Sequence, residues 1–529
     1  MNPTHPAPDD PRERYRRPDQ QRREAAPPPE HPMPDTTGTL LALGGMAATA
    51  LFAAGDHASV LARTASFGIL ASILVSVGFD LRHGGLRNLI RADLMAILSF
   101  YFLTLFEFLF PQPAFDTWVT PHGAHGGVVC IVLGFAGLYI GRHLYHPRQQ
   151  PFRLTLTREI PTSWIITIFW MCFVIGYAHM AIAVDFKIYD IYLWWLEARF
   201  SQPWQRGRLG DWKALIVELG LFIYLIPPLG GIILARRYRY GWFALISVII
   251  GLLITFFYGF TSGTRYILAA YLVTFLIGYA FALPFAKRKE LIVIYIGTAL
   301  LFVGLSHSML KFRGIGLRAY LESGYVPYSE GEESSYFVDY NLKNISQVVD
   351  YFPDKNPFLG WEIPYQALIR PIPRAIWKGK PEGLSKSIED VLGVEGFTVS
   401  ATFVGEAYMS GGYIAVAIIA LGFGALTGWW SHLASSQNSE LGILIYASAF
   451  FATVISMRSL FVFTTALLPT VAALIIGTYA VRFLTTQAQR LLALATIRAR
   501  SQRRMNIPQR PPRPPRPSGP QRPPVQPPR

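Results

Sequence analysis

Several basic side chains fall where a membrane-inserted chain tends to avoid them. Arg265 sits in the short turn Ser-Gly-Thr-Arg between two apolar runs, and Arg458 in the equally short Ser-Met-Arg-Ser. Arg313, Arg318, Arg370, Arg374, Lys378 and Lys380 share one long polar stretch. A guanidinium is a planar fork of donors that matches phosphate oxygens two at a time. Several of them at headgroup depth would make a clamp for a lipid pyrophosphate. In the run from Arg370 to Lys380, Pro373 fits the first position of a helix. Arg374 and Lys378 would then lie one turn apart on one face, as an anion cradle. The plainer alternative is that these cations snorkel to water or pair with nearby carboxylates.

Acid–base chemistry has three candidates: Glu406 in Val-Gly-Glu-Ala, His307 in Leu-Ser-His-Ser and His179 in Tyr-Ala-His-Met. Glu406 is expected at the outer interface just before an apolar run, where partial burial or a cation partner tunes a carboxylate. A lone histidine at a helix end is more often structural than catalytic. The two cysteines, Cys130 and Cys172, lie inside apolar runs and point to neither a disulfide framework nor a metal site. Neither a His-Glu-x-x-His pair, a phosphate-binding loop nor a dinucleotide fingerprint occurs. With no Asp-x-Asp to hold a metal–nucleotide sugar, no cofactor or metal is expected. A lipid-phosphate-activated donor fits better than a cytosolic nucleotide sugar.

These residues are positioned by membrane helices. Of 529 residues, 51% are hydrophobic and 15% charged, with mean hydropathy +0.30. Apolar runs fall near 39–55, 59–79, 93–110, 127–141, 163–184, 214–235, 241–260, 266–286, 291–310, 411–430, 440–457 and 460–481. Most match the roughly 20 residues a spanning helix needs, with 127–141 the shortest. Pro227 and Pro228 predict a kink. The fold class is therefore all-α: a polytopic bundle of about twelve spans with a large, partly helical outward loop, periplasmic if the membrane is a bacterial inner one. With the N-terminus inside, the inward loops carry Arg82, Arg87 and Arg91, then Arg142, Arg148, Arg153 and Arg158. Arg236, Arg237 and Arg239 follow, then Lys287, Arg288 and Lys289. The outward links 56–58 and 111–126 carry no Lys or Arg, as the positive-inside rule requires. Both termini are expected in the cytoplasm. The net charge of +15 follows from this distribution and from the tails, so no nucleic-acid partner is expected. The organisation reads as a Pro/Arg-rich cytoplasmic tail (1–36), nine spans (37–310) and the outward loop (311–410). Three spans (411–482) and a basic Pro/Arg-rich tail (483–529) complete it.

The order of these features resembles a known family. A multi-span body is followed by the outward SGTRYIL turn and a large outward loop. PIPRAIWKGKP comes next, then TVSATFVGEAYMSGGYIAVAIIALGFG leads back into the membrane. This is similar to the Wzy-type oligosaccharide repeat-unit polymerases of O-antigen and exopolysaccharide synthesis, over about 160–480 and most specifically in 358–425. The resemblance implies a glycosyltransferase of the bacterial inner membrane acting at its periplasmic face on undecaprenyl-pyrophosphate-linked glycans. It also implies chain-length regulator and flippase proteins of the same pathway as partners, beside membrane lipid. Under it, Arg265, Arg313, Arg370, Arg374, Lys378 and Arg458 would hold pyrophosphate, and Glu406 or His307 would activate the acceptor hydroxyl. Some members carry an Arg-x10-Gly motif in two outward loops. Arg199 with Gly210 and Arg313 with Gly324 fit that spacing, which 45 glycines also allow by chance. An O-antigen ligase, a lipid-phosphate-sugar glycosyltransferase and a polysaccharide or small-molecule transporter remain alternatives.

Overall fold

The computed structural model describes residues 33–53, 55–84, 88, 90–144, 162–199, 201–204, 216–283, 288–323, 340–372, 376–377, 379–381, 383–393, 399–435 and 439–477, with isolated positions beyond. Two compact units separate at residue 476; the second, 477–529, has few described residues. Everything that follows concerns the first.

The described residues form helices and no strands. They are α1 (Thr36–Phe52), α2 (Ala58–Gly84), α3 (Ala92–Thr104), α4 (Pro121–Gly141), α5 (Thr162–Ala183) and α6 (Ile188–Trp195). A 3-10 stretch, Glu218–Leu225, runs into α7 (Ile226–Ala235), followed by α8 (Trp242–Thr261), α9 (Arg265–Ala282) and α10 (Arg288–Phe312). Four short helices come next: α11 (Leu317–Ser323), α12 (Asn341–Tyr351), α13 (Glu362–Ile369) and α14 (Ile388–Leu392). The chain then enters α15 (Thr402–Ser435), α16 (Glu440–Ser456) and α17 (Leu460–Ala466). Helix occupies all twelve apolar stretches. Among the described residues, nine helices are long and apolar enough to cross a membrane, and Thr36–Phe52, Ala92–Thr104 and Glu440–Ser456 are shorter apolar helices. The change from 3-10 to α falls at Pro227–Pro228, which occupy the first turn of α7. There the missing N–H groups leave no helical bond unmade. α4 begins earlier than the apolar pattern alone indicates. Thr120 caps it by accepting from the Gly123 N–H at 2.9 Å, and Pro121 starts it.

One end of the bundle, called proximal here, is tied by buried ions. Asp80 accepts from Arg142 Nη1 at 3.2 Å and lies 3.8 Å from Arg91 Nη1. Arg91 pairs with Asp93, and Ser431 donates to Asp93 at 2.7 Å. Both arginines are about 1% exposed. This network joins the starts of α1 and α3 to the ends of α2, α4 and α15. A buried charge needs such partners. Beside it, Arg236 and Arg239 share Glu440. Three arginines that the sequence assigns to inward loops, Arg91, Arg142 and Arg236, are thus buried and neutralised by acids that lie within or next to apolar runs.

α9 and α16 run antiparallel across the core. Phe281 meets Tyr446 with ring centroids 4.9 Å apart, while Tyr224 contacts both Tyr271 (5.3 Å) and Phe451 (6.4 Å). Tyr446 Oη in turn donates to Ile90 O, beside the ion network. The opposite ends of α9 and α16, carrying Arg265 and Arg458, therefore lie together at the distal end.

Candidate functional site

The distal end holds a segment that periodicity alone reads as loop followed by span. α15 is interrupted at Gly411 and Gly412, whose backbones are non-helical; Gly412 has φ +66°. In an unbroken helix, Phe403 and Phe423 would be about 30 Å apart. Their rings lie 5.5 Å apart instead. The chain therefore folds back at the glycine pair. Residues 402–410 form a half-helix that starts inside the bundle and rises to the turn, and 413–435 descends beside it. α4 provides a ruler. Tyr413 Oη approaches Gly126 near the distal start of α4, whereas Val404 lies against Gly134, two turns deeper.

Glu406 rides on this half-helix and is 3% exposed. It was expected at the interface before the tenth span, because the GG break cannot be told from ordinary helix entry by hydropathy. The structure sets it within the bundle. Its Oε1 accepts from Ser459 Oγ and its Oε2 from the Leu460 N–H, both at 2.6 Å. Ser400 Oγ donates to the Arg458 carbonyl at 2.8 Å, and the Phe403 N–H reaches Met457 O at 3.4 Å. The half-helix thus fixes the α16–α17 turn that carries Arg458. An ionised carboxylate has about four acceptor positions. Two are taken by these donors. Arg370, the residue ending α13, lies within electrostatic reach of Glu406, and its guanidinium stands 5.6 Å from the Phe461 ring centroid.

Thr402, at the foot of the half-helix, has φ +58°. A β-branched residue in the left-handed region is a genuine outlier. Its buried Oγ1 has no hydrogen-bond partner among the described residues. Strain of this kind persists where surrounding structure enforces it, typically at functional sites.

A second group forms around the SGTR turn. The Arg199 N–H donates to Arg313 O at 3.3 Å, and the Arg318 N–H to Leu196 O at 3.0 Å. These bonds lay the segment after α6 against the end of α10. Gly263 (φ +62°) faces the pair: its absent side chain would stand 3.5 Å from Arg199 Cβ and from Arg313 Cα. Arg265 follows two residues later, at the start of α9. Beneath, Leu268, Leu272, Met309 and Phe312 form a small buried cluster that holds α9 to α10. Three arginines from three separate segments converge here. Arg199 and Arg313 are the arginines of the two Arg-x10-Gly matches; Gly210 and Gly324 lie outside the described residues.

Arg265 and Arg458 both lie beyond the Tyr224 bridge toward the distal end. Arg265 is six residues from Tyr271 and Arg458 seven from Phe451, and Tyr224 bridges those two rings. At 1.5 Å per residue, the arginines stand about 9 and 10 Å beyond that bridge.

Other candidates go elsewhere. His307 is exposed, on the side of α10 opposite Phe302, Leu305, Met309 and Phe312, which pack inward. His179 is buried against Gly220, with Nδ1 2.7 Å from Gly176 O, as a structural histidine would be. Arg318 pairs with Glu322 at 3.0 Å on the surface. Lys380 Nζ donates to the carbonyls of Arg370 and Ile372, closing the end of α13. Arg374 and Lys378, with the helix expected from Pro373, lie outside the described residues. Ser459, Thr402 and the Gly411–Gly412 break escaped the sequence reading, although paired glycines inside an apolar run are a turn signal.

Residues 328–484 match a family described as a domain of unknown function (DUF8712). The match takes in Glu406, Arg370, Arg458 and the fold-back, and excludes Arg199, Arg265 and Arg313. No curated protein and no solved structure matches the chain.

Proposed function

We propose that this chain is a membrane glycosyltransferase that polymerises undecaprenyl-pyrophosphate-linked oligosaccharide repeat units at the periplasmic face of a bacterial inner membrane. Twelve spans with both termini in the cytoplasm make the proximal end cytoplasmic. Even without the buried Arg91, Arg142 and Arg236, the proximal links hold Arg82, Arg87, Arg148, Arg153, Arg158, Lys287, Arg288 and Lys289, while the distal links 56–58 and 111–126 hold no Lys or Arg.

The observation that carries the proposal is the convergence of Arg199, Arg265 and Arg313 around Gly263, at the same end of the bundle as Arg458. Cations from separate segments are brought together at the end where a lipid diphosphate would rest. Guanidinium groups grip the diphosphate of the growing chain's carrier and stabilise the charge that develops as it leaves. The acceptor hydroxyl of the incoming unit forms the new bond to the anomeric carbon. The bond from that carbon to the pyrophosphate breaks, and the carrier departs with the electron pair. Glu406 takes the hydroxyl proton. Arg370, within electrostatic reach of Glu406, belongs to the same clamp, to which Arg374 and Lys378 are assigned from the sequence alone.

A transporter is the second reading, favoured by one observation. Interrupted helices and half-helices that end inside the bundle are how many carriers build substrate sites. One experiment separates the two. The gene is deleted from the chromosome and surface polysaccharide is resolved on a gel. A polymerase leaves single repeat units in place of a ladder; a carrier of units leaves none at the surface. An unchanged ladder rules out both.

A further inference from the structure

α13 is apolar on two opposite sides. Ile363 and Ala367 pack into the protein. On the other side, Trp361, Tyr365 and Leu368 recur at spacings of four and three, one helical face, and Ile372 follows in the turn after the helix. All are exposed, Trp361 at 74% and Leu368 at 65%, and Ile376 just beyond is 71% exposed. The flank between is polar and already occupied. Glu362 accepts from Ser385, and Gln366 Nε2 donates to Gly383 O at 2.8 Å. A bare row of large apolar side chains marks a surface that meets something other than water.

Its depth says what that is. Thr464 Oγ1 donates to Ala367 O at 2.6 Å, and Arg370 stands over Phe461. Both partners lie in the first turns of Leu460–Gly477, a stretch long and apolar enough to cross a membrane. α13 therefore packs against the beginning of a span. Just upstream, the Leu359 and Gly360 N–H groups donate to Met409 O and Ser410 O, at the top of the fold-back. Exposed Ile414 and Ile418 continue the apolar surface down α15. Trp and Tyr at one end of such a face are the residues that favour the headgroup boundary.

We infer that α13 is a ledge whose exposed Trp361, Tyr365, Leu368 and Ile372 rest in the headgroup–hydrocarbon boundary of the distal leaflet. The ledge sets Arg370 at lipid-headgroup depth, so a lipid-linked substrate is met without leaving the leaflet. It stands whichever reaction the site performs.

Native Cys130 and Cys172 are buried, so a thiol-directed nitroxide goes to an introduced cysteine. Single Leu368→Cys, Tyr365→Cys and Lys355→Cys variants of the full chain are labelled and placed in phospholipid vesicles. Power saturation then compares relaxation by oxygen with relaxation by a water-soluble nickel chelate. Labels at 365 and 368 should respond chiefly to oxygen, and the label at 355 chiefly to nickel. Nickel-dominated labels at 365 and 368, or labels shielded from both reagents, overturn the ledge. As a second measurement, unlabelled Trp361→Phe should lose a fluorescence component that brominated lipid quenches in the wild type. An identical quenching profile in the two proteins likewise counts against it.

Discussion

Phe403 and Phe423 touch ring to ring, 5.5 Å between centroids, across a fold-back at Gly411–Gly412. This one contact converts an interface carboxylate into one held inside the bundle. The turn depends on Gly412, whose φ of +66° any larger residue adopts at a penalty and whose side-chain position faces Phe358 Cζ at 3.1 Å. Gly412→Ala should destabilise the protein by about 1–2 kcal/mol. Gly422→Ala, a helical site with open space around it, should be neutral or slightly stabilising. Thermal unfolding in detergent compares them; equal midpoints would remove the fold-back from the account.

Thr402 holds strain that glycine would release. Thr402→Gly should raise stability by about 1 kcal/mol while lowering chain growth, because the half-helix loses its fixed starting angle. Unfolding midpoints and polysaccharide ladders from the same strain check both halves. A less stable variant with full ladders would show that the strained conformation serves packing alone.

The proximal ion network is a structural lock. Asp80 faces both Arg142 and Arg91 and accepts from the Asp35 N–H at 2.7 Å. Asp80→Ala leaves two buried guanidinium groups to one carboxylate, a loss of about 3–5 kcal/mol. Asp80→Ala combined with Arg142→Met should recover part of that loss, since one unpaired charge is gone. Yield of folded protein on gel filtration reads the difference. A double variant no better than the single would mean the charges do not act as a unit.

pH acts on the segment 383–393 through Asp390. Its carboxylate accepts from the Ser387 N–H at 2.9 Å while Ser387 Oγ caps the Asp390 N–H, and these bonds hold its pKa below the ordinary value. A depressed pKa in the folded state adds stability above the unfolded value, near 3.8, that is lost as pH falls through the folded one. Amide exchange in Ile388–Leu392, corrected for intrinsic rate, should quicken in acid below that range. Asp390→Asn should remove the dependence, and an unchanged dependence in that variant would assign it to another group.

Much of this architecture is legible from apolar run length, because a membrane span writes itself into consecutive residues. What hydropathy misses are features that break its assumptions. The first turns of α4 are rich in Gly and His, yet helical, since α12 packs against Gly126 and Gly127. Arg142 and Arg236 look like loop cations until Asp80 and Glu440 arrive from distant segments. The site is legible in composition but not in grouping. Arg265, Arg313, Arg370, Arg458 and Glu406 can be nominated singly, whereas their sorting into two clusters depends on a fold-back and on two backbone bonds between remote turns. Arg199 entered only through a weak spacing match, and His307 looked eligible because sequence gives no helix rotation relative to its neighbours.

The guanidinium clamp is tested most directly by binding. The full chain, reconstituted in lipid nanodiscs, is titrated with a polyprenyl pyrophosphate and, separately, with the corresponding monophosphate. The wild type should prefer the diphosphate, and Arg265→Ala with Arg313→Ala should weaken diphosphate binding about tenfold or more while leaving the fold intact. Equal affinity of the wild type and the folded double variant for the diphosphate lipid would contradict the clamp.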